Sequence, residues 1–178
     1  VKEIDMTAIE NTPENKNFLS PLGFKFSIKK APNVNFFIQQ VNFPSIDLPQ
    51  YDAPNPMVAI PFWGDHLNYG ELRISFKVDE DLTNYMEIYN WIRSLGKPET
   101  TEDYRKLQEI PTYTGDGLVS DISLVILSNS KMPNYEVTFR DAFPVSLGSL
   151  RFDSTLSDVD YLEVEAAFRY TIYEINHV

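Results

Sequence analysis

The sequence contains no cysteine, which removes disulfides, thiolate metal sites and thiol nucleophiles together. Histidine is nearly as scarce, being represented only by His66 and His177. Glycines are few, and Gly64, Gly70, Gly115, Gly117 and Gly148 are scattered, so neither a phosphate-cradling loop nor a dinucleotide fingerprint is present. No stretch approaches the ~20 apolar residues needed to span a bilayer, so no membrane association is expected. The opening Val1-Lys2-Glu3-Ile4-Asp5 is charged and has no apolar core, so it is not read as a signal peptide. Basic residues are in deficit, 15 against 26 acidic ones, for a net charge of -11. Adhesive nucleic-acid binding needs the opposite sign, because a basic patch must displace counterions from phosphate. An acidic wall beside DNA would repel it, which suits a passage better than a binding site.

What is present is a chain able to fold. Of 178 residues, 43% are hydrophobic and 13% aromatic, enough for one domain with a substantial core. Residues 1–22 are polar, carry Pro13 and Pro21, and read as an arm ahead of a single domain over 23–178. From Gly23 alternation begins: Phe24, Phe26 and Ile28 face one way, Lys25, Ser27 and Lys29 the other, which predicts a strand. A second strand is predicted with Val34, Phe36 and Ile38 in one phase and Val41 and Phe43 in the other, the change near Gln39-Gln40 implying a β-bulge or a bend. Leu72, Ile74, Phe76 and Val78 alternate with charged and polar residues in the cleanest strand of the chain. The period then changes. Leu82, Tyr85, Met86, Tyr89 and Ile92 fall at helical spacing behind Asp79-Glu80-Asp81, and Gly96 with Pro98 supplies the stop, predicting a helix over 82–95. A short helix around Asp103–Gln108 is expected in the polar connection that follows. Further strands are predicted at 118–128, whose apolar run suggests cover on both faces, at 135–143, around 145–152, and as one long strand from Leu162 to Ile172. Strands on both sides of one helix place the fold as mainly β or α+β.

The chemistry is sparse. Asp65-His66 could be half of a triad, but no nucleophile elbow accompanies it, so it reads as a turn. Asp153, Asp158 and Asp160 beside Ser154 and Ser157 offer oxygen ligands suited to Ca²⁺, yet the spacing is not that of an EF-hand and such residues are ordinary in turns. Tyr85, Tyr89 and Trp91 could stack on a sugar; at helical spacing beside a sheet they read as core. The expectation is no enzyme, no cofactor and no metal site.

Two features remain. Residues 44–64 carry Pro44, Pro49, Pro54, Pro56 and Pro61, which deprive a ladder of donors and predict an extended excursion or edge strand rather than central sheet. Long irregular segments in a compact domain are usually functional or packed on a neighbour. The long strands also show no obvious edge protection, so their edges either pair with other copies or are covered by the chain's own arm.

Several stretches resemble the tail-tube family of contractile-tailed bacteriophages. These are Asn17-Phe18-Leu19-Ser20-Pro21 leading into Gly23-Phe24-Lys25-Phe26; Ser75-Phe76-Lys77-Val78-Asp79-Glu80-Asp81-Leu82 with Asn84-Tyr85-Met86-Glu87-Ile88-Tyr89-Asn90-Trp91; Asp141-Ala142-Phe143-Pro144-Val145-Ser146-Leu147; and Phe168-Arg169-Tyr170-Thr171-Ile172-Tyr173-Glu174-Ile175. The resemblance implies an antiparallel β-sandwich or barrel-like fold with one flanking helix, in a virion structural protein assembled in the host cytoplasm into stacked hexameric rings inside a contractile sheath. Its implied partners are its own copies, the tail sheath protein, a baseplate tube initiator and the tape-measure protein, with double-stranded DNA passing through the lumen unbound. Six copies at -11 each carry about -66, a field that keeps DNA off a wall, although solubility explains acidity equally well. By the same analogy the 44–64 segment packs on a neighbouring subunit, Phe62, Trp63 and Tyr69 are inter-subunit contacts, and Glu163 and Glu165 face the lumen. The alternatives are a tube initiator or baseplate hub of the same fold, an injection-system tube, and a carbohydrate-binding β-sandwich.

Overall fold

The computed structural model describes residues 15–96, 102, 105, 117–155 and 161–178. Seven of its strands share one sheet. β1 (Phe24–Ile28), β8 (Ser120–Leu127), β9 (Pro133–Leu147), β10 (Glu163–Arg169), β7 (Leu72–Lys77) and β2 (Ile38–Asn42) pair in that order, and β11 (Ile172–His177) lies on β9 beyond the end of β10. All these pairings are antiparallel. The remaining strands, β3 (Ile46–Asp47), β4 (Gln50–Ala53), β5 (Ile60–Trp63) and β6 (Asn68–Tyr69), form two short ladders of their own.

The 15-residue β9 joins two halves. Its first part pairs with β8 and β11, and its last part pairs with β10. The bend falls at Asp141, whose φ of 54° is left-handed, a conformation that aspartate tolerates better than most residues. The partner chain breaks opposite: β10 ends at Arg169, and Thr171 N–H donates to the Arg140 carbonyl (3.0 Å) before β11 resumes. The single strand expected over 162–172 is therefore two strands, with a register shift at Ala167/Phe168. Inward phase passes from Val164, Ala166 and Phe168 to Tyr173, leaving Ile172 exposed opposite Arg140.

Period-two patterning places the core as expected. Leu72, Ile74 and Phe76 meet Phe168, Ala166 and Val164 across the β7–β10 ladder, while Ile28, Ile122 and Phe139 form one cross-strand row and Phe26, Leu124 and Val137 another. All are buried, each large side chain contributing roughly 1.5–3 kcal/mol. On β8 Ser120, Ile122, Leu124 and Leu127 are buried and the residues between them half-buried, so the second face over 118–128 is covered only in part.

Two helices are described, of which only the one over 82–95 was expected. α2 (Thr83–Gly96) occupies the predicted segment and buries Ile88 and Trp91. Its start is capped: the Asp79 carboxylate accepts from Thr83 N–H at 2.8 Å, while buried Asn84 donates to the Lys77 carbonyl at 2.8 Å. The Trp91 indole packs on Phe168 and donates to the Leu118 carbonyl (2.9 Å). α1 (Pro32–Phe37) replaces the first part of the predicted second strand. Pro32 pre-sets the first helical turn, and Asn35 bonds both backbone groups of Ile28, folding the turn back on β1. The strand begins only at Ile38, and the implied bulge is there, between Ile38 and Gln40. Of the short helix expected around Asp103–Gln108 only Arg105 is described, in helical conformation; the rest of that segment lies outside the described residues.

Candidate assembly surface

The Pro-rich excursion is a long two-part hairpin. Ile46 and Asp47 face Tyr69 and Asn68; farther out, Gln50 to Ala53 face Trp63 to Ile60. Pro44, Pro49, Pro54 and Pro56 fall beside or between the short ladders, and Pro61 sits within β5, a strand paired on one side only. Gly64 N–H donates to the Pro49 carbonyl, so closely that a Cβ at Gly64 would stand 2.9 Å from that oxygen; only glycine fits this crossing without a shift.

The root of the hairpin is packed. Phe43 and Tyr69 meet Phe139, Tyr170 and Tyr173 with ring centroids 5.4–6.3 Å apart. The stem is not. Tyr51 stacks on Phe62 across the ladder (5.7 Å, 18°), but Ile46, Leu48, Tyr51, Val58, Ile60, Phe62 and Leu67 remain exposed, as do Trp63 at 75% and Met57 at 93%. A two-stranded hairpin has no second layer in which to bury such groups and is marginal in water alone. A contiguous apolar surface of this kind marks an interaction site. Residues 44–70 carry Asp47, Asp52 and Asp65 and no lysine or arginine.

The predicted contacts thus divide. Phe62 and Trp63 lie on the exposed stem, whereas Tyr69 sits at the root, half-buried against the core of its own subunit. The signal that separates them, contact with Tyr170 and Tyr173, is remote in sequence. Sequence reasoning overlooked Met57 and Val58 at the tip, flagged only by their Pro-bounded, uncharged surroundings.

Four backbone edges are open among the described residues: β1, β2, β11 and the last part of β9. Glu163 and Glu165 lie on the outward face of β10, opposite Lys77 and Ser75. The Glu165 carboxylate accepts from Arg73 (3.3 Å), which also meets Glu71 (3.2 Å). These pairs are exposed and stabilise little, but they decide the local charge. Glu71, Glu163 and Glu165 are balanced on this face by Arg73, Lys77 and Arg169. The seven core strands together hold six acidic and five basic residues. Most of the -11 therefore lies off the sheets, in the hairpin, the Asp79–Asp81 corner and the connections.

The chemical candidates resolve into structural features. Asp65 and His66 lie in an exposed bend. His177 stands against the Tyr135 ring (5.2 Å). Asp153 accepts hydrogen bonds from Thr155 and pairs with Arg151 (3.3 Å); the Thr155 hydroxyl, first among these, holds its carboxyl below the usual value. Asp158 and Asp160 lie outside the described residues, and among the described residues no group of three or more His, Asp or Glu could hold a metal ion. No helix among them is long and apolar enough to cross a membrane. Trp91 is buried, so Tyr85, Tyr89 and Trp91 do not form an open stacking platform.

A subunit with open sheet edges and an arm it cannot bury is built to be completed by other chains, which defines a class: assembling structural proteins. Residues 6–176 match the phage tail tube protein family, and the chain belongs to that family. It is a structural component of the virion tail and not an enzyme. No curated protein sequence matches it. Among solved structures it is similar to the tube-terminating cap of the anti-feeding prophage (TM-score 0.60, 12% identity, covering 98% of this chain and 100% of that one). It is also similar to a chain of the sheath–tube complex of an extracellular contractile injection system, PVC, in the extended state (0.58, 14%, 99% and 100%), and to one of the anti-feeding prophage baseplate (0.54, 16%, 93% and 97%). At these identities the likeness is one of fold.

Proposed function

We propose that this chain forms the inner tube of a contractile phage tail, as hexameric rings stacked on one another, through which double-stranded DNA leaves during ejection. Residues 23–178 act as one tube domain behind the arm of 1–22. The observation that carries the reading is the apolar stem beside open sheet edges: both surfaces are unsatisfied in one copy, and both are satisfied by identical neighbours. Phe62 and Trp63 make inter-subunit contacts, and Tyr69 holds the stem at its root. The outward face of β7 and β10, with Glu163 and Glu165, lines the lumen. Its charged side chains balance, three acidic against three basic, so the wall is near neutral and carries ion pairs rather than the whole field of the chain. A wall with no net positive charge withholds adhesive phosphate contacts. The sheath and a baseplate initiator bind the outer surface and the end of the tube, and the tape-measure protein fills the lumen before DNA. Assembly takes place in the host cytoplasm.

Negative-stain microscopy of purified protein tests this. Hollow tubes of uniform width are expected, with rings as short forms. Single rings that never lengthen favour a cap or initiator, the reading to which the likeness to cap and baseplate chains lends weight. A strict monomer at high concentration would refute both.

A further inference from the structure

We propose that Phe143, with Val145 beside it, grips apolar side chains of the protein that fills the tube before DNA, and lets the duplex slide past. The inference deepens the proposed function and rests on its premise that the outward face of β7 and β10 lines the lumen.

Phe143 stands on that face. Along β10, period two turns Glu163, Glu165 and Arg169 outward and Val164, Ala166 and Phe168 into the core. Phe143 lies directly opposite Arg169 on the last part of β9, and directly opposed residues of a ladder share a face. One step along, Ala167 pairs with Ser146 and Phe168 with Pro144, so Val145 is the extra residue of a bulge. Phe143 is 36% exposed and Val145 40%, although Ala142 and Pro144 on either side of Phe143 are buried.

Elsewhere the same face is polar. Gln40 and Asn42 of β2 lie opposite Ser75 and Arg73, which in turn lie opposite Glu165 and Ala167. Against amides, hydroxyls and balanced charge, Phe143 and Val145 make the one strip of large exposed apolar side chains among these four strands.

Such a strip tells the two occupants of a lumen apart by their chemistry. Duplex DNA turns phosphates outward, and a phenylalanine ring offers them no cation. An apolar side chain of a protein gains from the same ring, because both surfaces leave water together. Repeated in every subunit of every ring, weak contacts of this kind add up along a filler that spans many rings. The DNA that follows meets none of them.

Because the chain has no cysteine, Phe143→Cys reports its own surroundings. A small maleimide should label it as completely in assembled tubes as in dispersed subunits; protection in tubes would place Phe143 in the joint between copies and overturn the lumen assignment. The grip is read by cosedimentation with wild-type and Phe143→Ser tubes. Three fluorescent probes are used: an uncharged amphipathic peptide of leucine and glutamine, the same peptide with serine for every leucine, and a short DNA duplex. The leucine peptide should sediment with wild-type tubes and at least fivefold less with Phe143→Ser tubes, while the other two stay in the supernatant. Equal behaviour of the leucine peptide with both tubes, or a duplex retained by wild-type tubes and released by Phe143→Ser, would sink the proposal. Phe143→Ser subunits that are folded by circular dichroism yet form no tubes would also sink it and leave the tube reading standing. Wild-type protein that forms no tubes would remove both.

Discussion

Replacing Tyr170 with phenylalanine should make the subunit more stable. Tyr170 sits in the aromatic cluster at the hairpin root, 4.9 Å from Phe139, 5.9 Å from Tyr69 and 6.1 Å from Tyr173 between ring centres. Its hydroxyl is buried with no hydrogen-bond partner. An unpaired buried hydroxyl costs roughly 1–3 kcal/mol. Tyr170→Phe removes that cost and keeps every ring contact; the small void left behind offsets a few tenths of a kcal/mol. The expected gain is about 1 kcal/mol, or ~2–4 °C in Tm for a chain of this size. Most substitutions destabilise, so the sign alone is diagnostic. Burial, then the neighbouring phenols of Tyr173 and Tyr69, pushes the Tyr170 pKa from 10 up to about 12. The unfolded chain therefore releases this proton first. Stability contributed by the neutral phenol is complete below pH 10 and is lost as pH rises through 12. The variant should lack that part of the alkaline decline. Urea unfolding of dispersed subunits, at neutral pH and across pH 9–12, measures both effects. A loss of 1 kcal/mol or more in Tyr170→Phe, with an unchanged alkaline slope, would refute the account.

Asn84→Ala should cost about 1–3 kcal/mol in the same assay, because it strands the buried Lys77 carbonyl at the start of α2. At the β9 bend, Asp141→Val should lose about 1–2 kcal/mol and Asp141→Gly little, since a β-branched residue resists φ of 54°; equal losses would remove the bend as the cause. Trp63→Ser, on the exposed stem, should leave subunit stability within about 0.5 kcal/mol while lowering tube yield in sedimentation. A large fall in stability would instead place Trp63 in the fold of a single copy.

Much of this molecule follows from local pattern. Alternation in 24–28 and 72–77, helical spacing from 83 to 96, the Asp79 cap and the donor-poor prolines of 44–61 each act within a few residues, so the strands, the main helix and the protruding segment were legible without coordinates. What local pattern could not decide was set by contacts distant along the chain. Val34 to Phe37 suits either period over so short a run, and the helix is chosen by Pro32 together with the grip of Asn35 on Ile28. The final strand breaks because its partner bends at Asp141, a residue with no mark of its own. Trp63 and Tyr69 are six residues apart and look alike in sequence. One is left to solvent and the other is fastened to the body, because only the folded chain brings Tyr170 and Tyr173 beneath the second. Charge behaves likewise: its total is a property of composition, but its near-balance on the sheets arises from cross-strand neighbours such as Arg73 and Glu165, which pairing of remote segments alone creates.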